Sequence, residues 1–278
     1  MARGRQVVRP AFSGPERFKA STVDSTPTRA SRHAPAGGQF DELVRLFEDE
    51  PVELVSGPFT LDQIELLVQA SLKDLSKARS CINAWLRQGH SLSDIYLHGI
   101  TAAARLVGHS WAQDCLDFGS VTVVSSNLHR LLYEFSPQFQ LDAQPHHGGT
   151  ILIFPEPGAQ HTMGGFMLAE FFRRGGWFVL TALPKSQDEC VSLVSKNWVD
   201  TVAVSISSDR HVHTLGQWIA SMRQASTNTH LKVMAGGPMA QVNPGALSGL
   251  HADVLGKDAL EAVNWAWAHG LSHQKFTQ

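Results

Sequence analysis

From Thr150 onward the chain alternates short, continuously apolar runs with stretches of helix length, and no other feature narrows the fold so far. Thr150-Ile151-Leu152-Ile153-Phe154 carries no charge and no turn residue. An uninterrupted apolar run of that length is what a strand buried on both faces requires. Largely apolar runs recur at 177–182, 201–206, 231–235 and 253–255, the last two including Lys232 and Asp253. The intervening segments, near 163–174, 187–197, 212–225 and 258–268, have helical spacing. Strands in strict alternation with helices specify a parallel sheet, and right-handed crossovers leave few ways to wind it.

A doubly wound, five-stranded parallel sheet with the flavodoxin-like (Rossmann-type) strand order is therefore expected over 150–270. The preceding region has a different period. Thr60 and Gln63 form a capping box, followed by Leu61, Ile64, Leu67, Val68, Leu72 and Leu75 at helical spacing. A second helix is expected over 76–88, on Ala78, Ile82, Trp85 and Leu86, ended by Gly89 in a left-handed conformation. A third is expected over 91–107 and a fourth over 118–135. Short connections between helices of this length predict an antiparallel four-helix bundle over 60–136. Residues 137–149 then read as a linker, 39–59 as a short helical lead-in that stops at Pro51, and 271–278 as a tail. Residues 1–38, rich in Ser, Thr, Pro, Gly, Ala and Arg, are expected to be disordered.

Charge and composition exclude several classes. The net charge of the 278 residues is −2, so the whole chain is no generic polyanion binder. The leader 1–38 nevertheless holds seven Lys and Arg against Glu16 and Asp24, which makes it +5 and the rest −7. Such a leader can touch DNA phosphates or be a solvated arm. Three scattered cysteines, Cys81, Cys115 and Cys190, argue against a disulfide scaffold and for a reducing, cytoplasmic setting. Cys81 and Cys115 are expected to be buried. No run is apolar enough to span a membrane, and the N-terminus lacks the apolar block of a signal peptide. Histidines number fourteen, which directs attention to metal chemistry.

In an open parallel sheet, ligands bind at the carboxyl ends of the strands near the reversal of strand order. The loops after the first, third and fourth strands are the candidates. The first reads Pro155-Glu156-Pro157-Gly158-Ala159-Gln160-His161-Thr162-Met163-Gly164-Gly165. It has neither the glycine fingerprint of a dinucleotide site nor a phosphate-binding Gly-Lys-Ser/Thr. It places His161 just before a helix, where a neutral imidazole can offer a lone pair to a metal. Gly164, Gly236 and Gly237 permit close approach to the backbone, with a plain strand-to-loop turn as the alternative for the last two. Ser205 and Ser207 can hydrogen-bond polar ligand atoms or cap the next helix. A flat metal complex with a tail would use all three loops.

The order H-x-x-G, then Ser, then Gly-Gly, on an α/β domain behind a helical bundle, resembles the vitamin B12 (cobalamin)-binding modules of methionine synthase, corrinoid methyl carriers and B12 light sensors. The resemblance covers about 60–270 and includes Gly249-Leu250-His251-Ala252-Asp253 followed by Gly256 and Ala259. It implies that His161 is the lower axial cobalt ligand, that Gln160, Thr162 and Gly256 join Gly164, Ser205, Ser207, Gly236 and Gly237 around the cofactor, and that Trp111 caps the upper face. Trp111 as a core residue of the bundle is the alternative. Two departures stand out. Ala159 occupies the place of the family's Asp, leaving Gln160 or Glu156 as partners for His161, and Ser205-Ile206-Ser207 makes the tail slot more polar.

Val121 and Thr122 stand where the light sensors carry Glu and His. His109 and His129 lie on bundle segments able to face the cofactor and are the weaker upper-ligand candidates, with an ordinary surface or core histidine as the alternative for each. The basic leader stands where those sensors have a DNA-binding domain. The combination is most similar to the AerR/PpaA antirepressors of photosynthetic bacteria. That implies a light-responsive, non-enzymatic regulator holding adenosyl- or hydroxocobalamin and acting through a partner transcription repressor. A haem or redox sensor on the same scaffold and a corrinoid methyl carrier are the alternatives. His146, His147, His211 and His213 are expected to be background, the first two exposed in the linker.

Overall fold

The computed structural model describes residues 57–159, 162–207 and 212–271. Four helical segments come first: α1 (Leu61–Lys73), α2 (Leu75–Arg87), α3 and α4 (Phe118–Phe139). The capping box of Thr60 and Gln63 forms as expected, and Gly89 has φ +94° behind α2. The third helix departs from expectation. α3 consists of an α turn (Leu92–Asp94), a π-helical stretch (Ile95–Ile100) and an α segment (Thr101–Ala112). It therefore carries Gly108, His109 and Trp111 inside the helix rather than in a loop. In the π-helical stretch Gly99 lies against Trp85, where a Cβ would come within 2.8 Å of the indole.

Helix α4 also runs past Pro137, which the sequence suggested as the start of a linker. The reason is packing. Phe139 is fully buried, stacked on Tyr96 at 4.7 Å and against Phe171 at 5.0 Å. A proline in the last turn forfeits one backbone bond, and an aromatic anchor of this size outweighs that loss.

The second half is the expected sheet: β1 (Thr150–Pro155), β2 (Phe178–Thr181), β3 (Thr201–Ser205), β4 (Lys232–Gly236) and β5 (Val254–Leu255), all parallel, in the order β2-β1-β3-β4-β5. Helices α5 (Met163–Arg174), α6 (Gln187–Lys196), α7 (Val212–Ala225), α8 (Pro238–Val242) and α9 (Ala259–His269) connect or follow them. Alternate residues of each strand serve opposite faces. Leu152, Phe154, Val202 and Val204 pack with α6 and α7. Ile151, Ile153, Ala203 and Met234 join a core that includes α5, α9 and the whole interior of the bundle. Helical half and sheet thus share one apolar core.

His147 departs from the exposed position expected of it. Its ring lies edge-on to Trp177 at 4.9 Å and 4.1 Å from Trp267. Burial holds its pKa below the ordinary histidine value, against opposing backbone hydrogen bonds and Asp200. The folded state therefore refuses a proton that the unfolded chain accepts, so stability is full above about pH 6.5 and is lost below it. His129, also shifted down by burial, acts in the same direction. Thermal midpoints should fall as pH is lowered from 7.5 to 6, and His147→Leu should flatten that slope. Cys81 and Cys115 are only half-buried, whereas burial pushes the Cys190 thiol up to about 12.

Candidate functional site

The site begins where β1, β3 and β4 end side by side. Pro155 is level with Ser205, and Ser205 with Gly236. Backbone bonds continue past the strands: Glu156 N–H donates to Ser205 O at 2.9 Å, Ile206 N–H to Gly236 O at 2.8 Å, and Met239 N–H to Ile206 O at 3.1 Å. Glu156 is buried, and its Oε1 accepts from both the backbone N–H and the hydroxyl of Ser207, at 3.0 and 2.7 Å. Three loops are thereby stitched into one rim. Both donors of Ser207 are engaged in this tie, so Ser207 also shapes the loop.

The paired glycines also have an internal reason. Gly237 has φ +94°, and a Cβ there would stand 2.7 Å from Ile206 O and 2.8 Å from Ser205 Oγ. At Gly236 a Cβ would meet Gly256 O at 3.2 Å. Packing between the loops thus favours glycine at both positions. Gly237→Ala should cost about 2 kcal/mol or more, from left-handed strain plus the clash, read as a shift of the denaturant midpoint. Gly164 and Gly165 differ: a Cβ on either meets no atom within 4 Å. Thr162 precedes α5 and accepts the Phe166 N–H through its carbonyl at 2.9 Å. His161 and Gln160 lie outside the described residues, as does His211.

The bundle supplies the opposite wall. On α3, Ala102, Ala103, Leu106, Val107 and Ser110 face the bundle core. Helical spacing then turns Thr101, Ala104, Arg105, Gly108 and Ala112 the other way. Thr101 Oγ1 lies 3.5 Å from Met167 Sδ on α5, and the Arg105 guanidinium donates to Gln241 Oε1 on α8. This face of α3 therefore looks onto the α/β domain. A Cβ on Gly108 would meet nothing within 4 Å. Trp111, one turn beyond Gly108, is 52% exposed and so is not a core residue. His109 flanks this face and is half-buried.

Helix α4 runs in register with α5. Tyr133 packs on Phe166 at 4.2 Å, Ser136 Oγ donates to Glu170 Oε2 at 2.6 Å, and Gln140 Nε2 donates to Glu170 O at 3.0 Å. One turn before Tyr133 comes His129, which that register sets level with Thr162 at the end of the first loop. Burial lowers the pKa of its half-buried ring, which favours the neutral form in which imidazole binds metals. Sequence reasoning missed Arg105, Tyr133 and the anchoring role of Glu156.

These residues fit a broad, flat ligand. Gly108 on α3 and Gly164 and Gly165 at the start of α5 each leave open space at the Cβ position, and the half-buried His129 lies on α4.

Comparison with known proteins bears on the second half of the chain as a domain. The model of the B12 binding domain matches residues 149–264. A curated relative, the uncharacterized 20.5 kDa protein in the bchF-crtJ intergenic region of Rhodobacter capsulatus, is 26% identical over 168 residues, 60% of this chain and 87% of its own. Among solved structures, the monomethylamine corrinoid protein of Methanosarcina barkeri superposes with a TM-score of 0.63 at 15% identity, covering 74% of this chain and 96% of its own. That likeness spans helical half and sheet and is one of fold.

Proposed function

We propose that this chain binds cobalamin between its helical half and the carboxyl edge of its sheet and acts as a light-responsive antirepressor, through a partner transcription repressor of photosynthesis genes. The observation that carries the reading is the match of residues 149–264 to the B12 binding domain, on a sheet whose carboxyl edge is faced by α3 and α4. The relative named for the bchF-crtJ intergenic region, together with the similarity to AerR/PpaA antirepressors, supports the regulatory part.

When bound, cobalamin supplies a cobalt centre whose upper alkyl ligand is light-sensitive. The chain's own residues do the rest. His161 offers the lower ligand, and Gly164 and Gly165 leave room for the macrocycle. Thr101, Ala104, Gly108 and Ala112 keep the upper wall low, with Trp111 and His129 at its margins. A signal can move the bundle only if the two states of the ligand contact it differently, and in this reading Trp111 and His129 make that difference. The output is a changed affinity for the repressor, with the +5 leader adding a salt-dependent contact to DNA. In this reading the chain is no enzyme.

The test is the visible spectrum of the purified chain with adenosyl- and hydroxocobalamin, dark and illuminated, alongside repressor binding. Expected are protein-dependent corrinoid bands, a light-induced change with the adenosyl form, and repressor affinity that follows it. A Soret band in protein prepared without B12 and surviving dialysis would instead favour haem. Methyl transfer with a methyltransferase would favour a carrier.

A further inference from the structure

Arg105 lies on the face of α3 that looks onto the α/β domain, half-buried among Thr101, Ala104 and Gly108. Among the described residues no carboxylate lies within ion-pairing distance of it. It donates to the neutral amide of Gln241, whose Nε2 is committed to Lys257 O at 2.8 Å. A guanidinium has five donors in a rigid fork, and a cation drawn out of water without a counter-charge is costly. Burial lowers its pKa, as that environment requires. Three arginines elsewhere behave differently: Arg173 pairs with Glu170, Arg174 with Asp142 and Arg223 with Asp253.

We propose that Arg105 recognises an anionic group, phosphate or carboxylate, at the rim of the ligand held between the bundle and the carboxyl edge. The assignment rests on the tetrapyrrole reading above and adds a specificity residue to it. A fork of donors suits either oxyanion bidentately. The two sources are separable by chemistry. Hydroxocobalamin carries one phosphodiester and an amide rim, cobinamide lacks the phosphodiester, and haemin carries two carboxylates.

The experiment titrates the full chain with each compound by visible absorption, for wild type, Arg105→Gln, Arg105→Lys and Gln241→Ala. Arg105→Gln should weaken the anion-bearing ligand about ten-fold or more, the scale of a hydrogen-bonded ion, and leave cobinamide within about two-fold. Arg105→Lys should fall between, since it keeps the charge and loses the fork. Gln241→Ala should match wild type. Loss confined to hydroxocobalamin identifies the phosphate, and loss confined to haemin the carboxylate. Equal losses for cobinamide, no loss for any ligand, or the same losses in Gln241→Ala would overturn the assignment and leave Arg105 a plain bridge. A wild-type chain that binds none of the three overturns the tetrapyrrole reading itself, and the assignment with it.

Discussion

Replacing His161 with alanine should abolish the spectral signature of protein-ligated hydroxocobalamin and weaken its binding by roughly a hundred-fold. Loss of a partner hydrogen-bonded to a metal-bound histidine already costs about ten- to a hundred-fold, so loss of the ligand itself belongs at the upper end of that range or beyond. His161 stands in the loop that leaves β1, three residues before Gly164. Neither glycine following it blocks the approach of a macrocycle. Added imidazole should restore part of the spectrum in His161→Ala, because the small base can enter the space left by the ring. Ala159→Asp should strengthen ligation in the wild-type background, since a carboxylate accepting from the distal ring nitrogen raises the basicity of the proximal one. Identical spectra of wild type and His161→Ala would end the ligation claim.

What could be read in the sequence was what is local or periodic. Strands β1 to β5, helices α5, α6, α7 and α9, the capping box at Thr60 and the left-handed Gly89 all follow from spacing and residue type within a few neighbours, whereas the short α8 was not expected. Right-handed crossovers only narrow the strand order to a few possibilities. Contacts between distant positions could not be read. Arg105 meets Gln241 across 136 positions, and Tyr133 meets Phe166 only because two helices happen to run in register. Each looks like an ordinary surface residue of its own helix. Pro137 misled because the anchor that carries the helix past it, Phe139, finds Tyr96 and Phe171 only in the folded chain. His147 misled likewise, since its aromatic neighbour Trp267 comes from the last helix. The glycine pair shows the reverse limit. Gly236-Gly237 was legible as a feature, but its reason lies in the carbonyls of Ile206 and Gly256.

Glu156 brings the remaining large effect, because one buried carboxylate ties the loop that leads to His161 to the loop after β3. Glu156→Ala would leave the Ser207 N–H and hydroxyl without their shared acceptor. A fully buried donor stranded in this way costs about 1–3 kcal/mol; the two Ser207 donors are only part-buried, so a combined loss of about 2–4 kcal/mol is expected in denaturant unfolding. The effect on ligand should exceed what global stability alone would give. The backbone bond from Glu156 N–H to Ser205 O survives the substitution, so the strand end stays in place while the side-chain tie is lost. The loop then samples more conformations, and hydroxocobalamin affinity should fall about ten-fold even at temperatures where the chain is fully folded. Glu156→Gln keeps a carbonyl acceptor of the same reach and should recover most of the stability. If Glu156→Ala binds hydroxocobalamin as tightly as wild type, the rim is not held by this tie, and the order of the first loop must come from Gly158 N–H on Pro184 O and Ala159 N–H on Glu156 O instead.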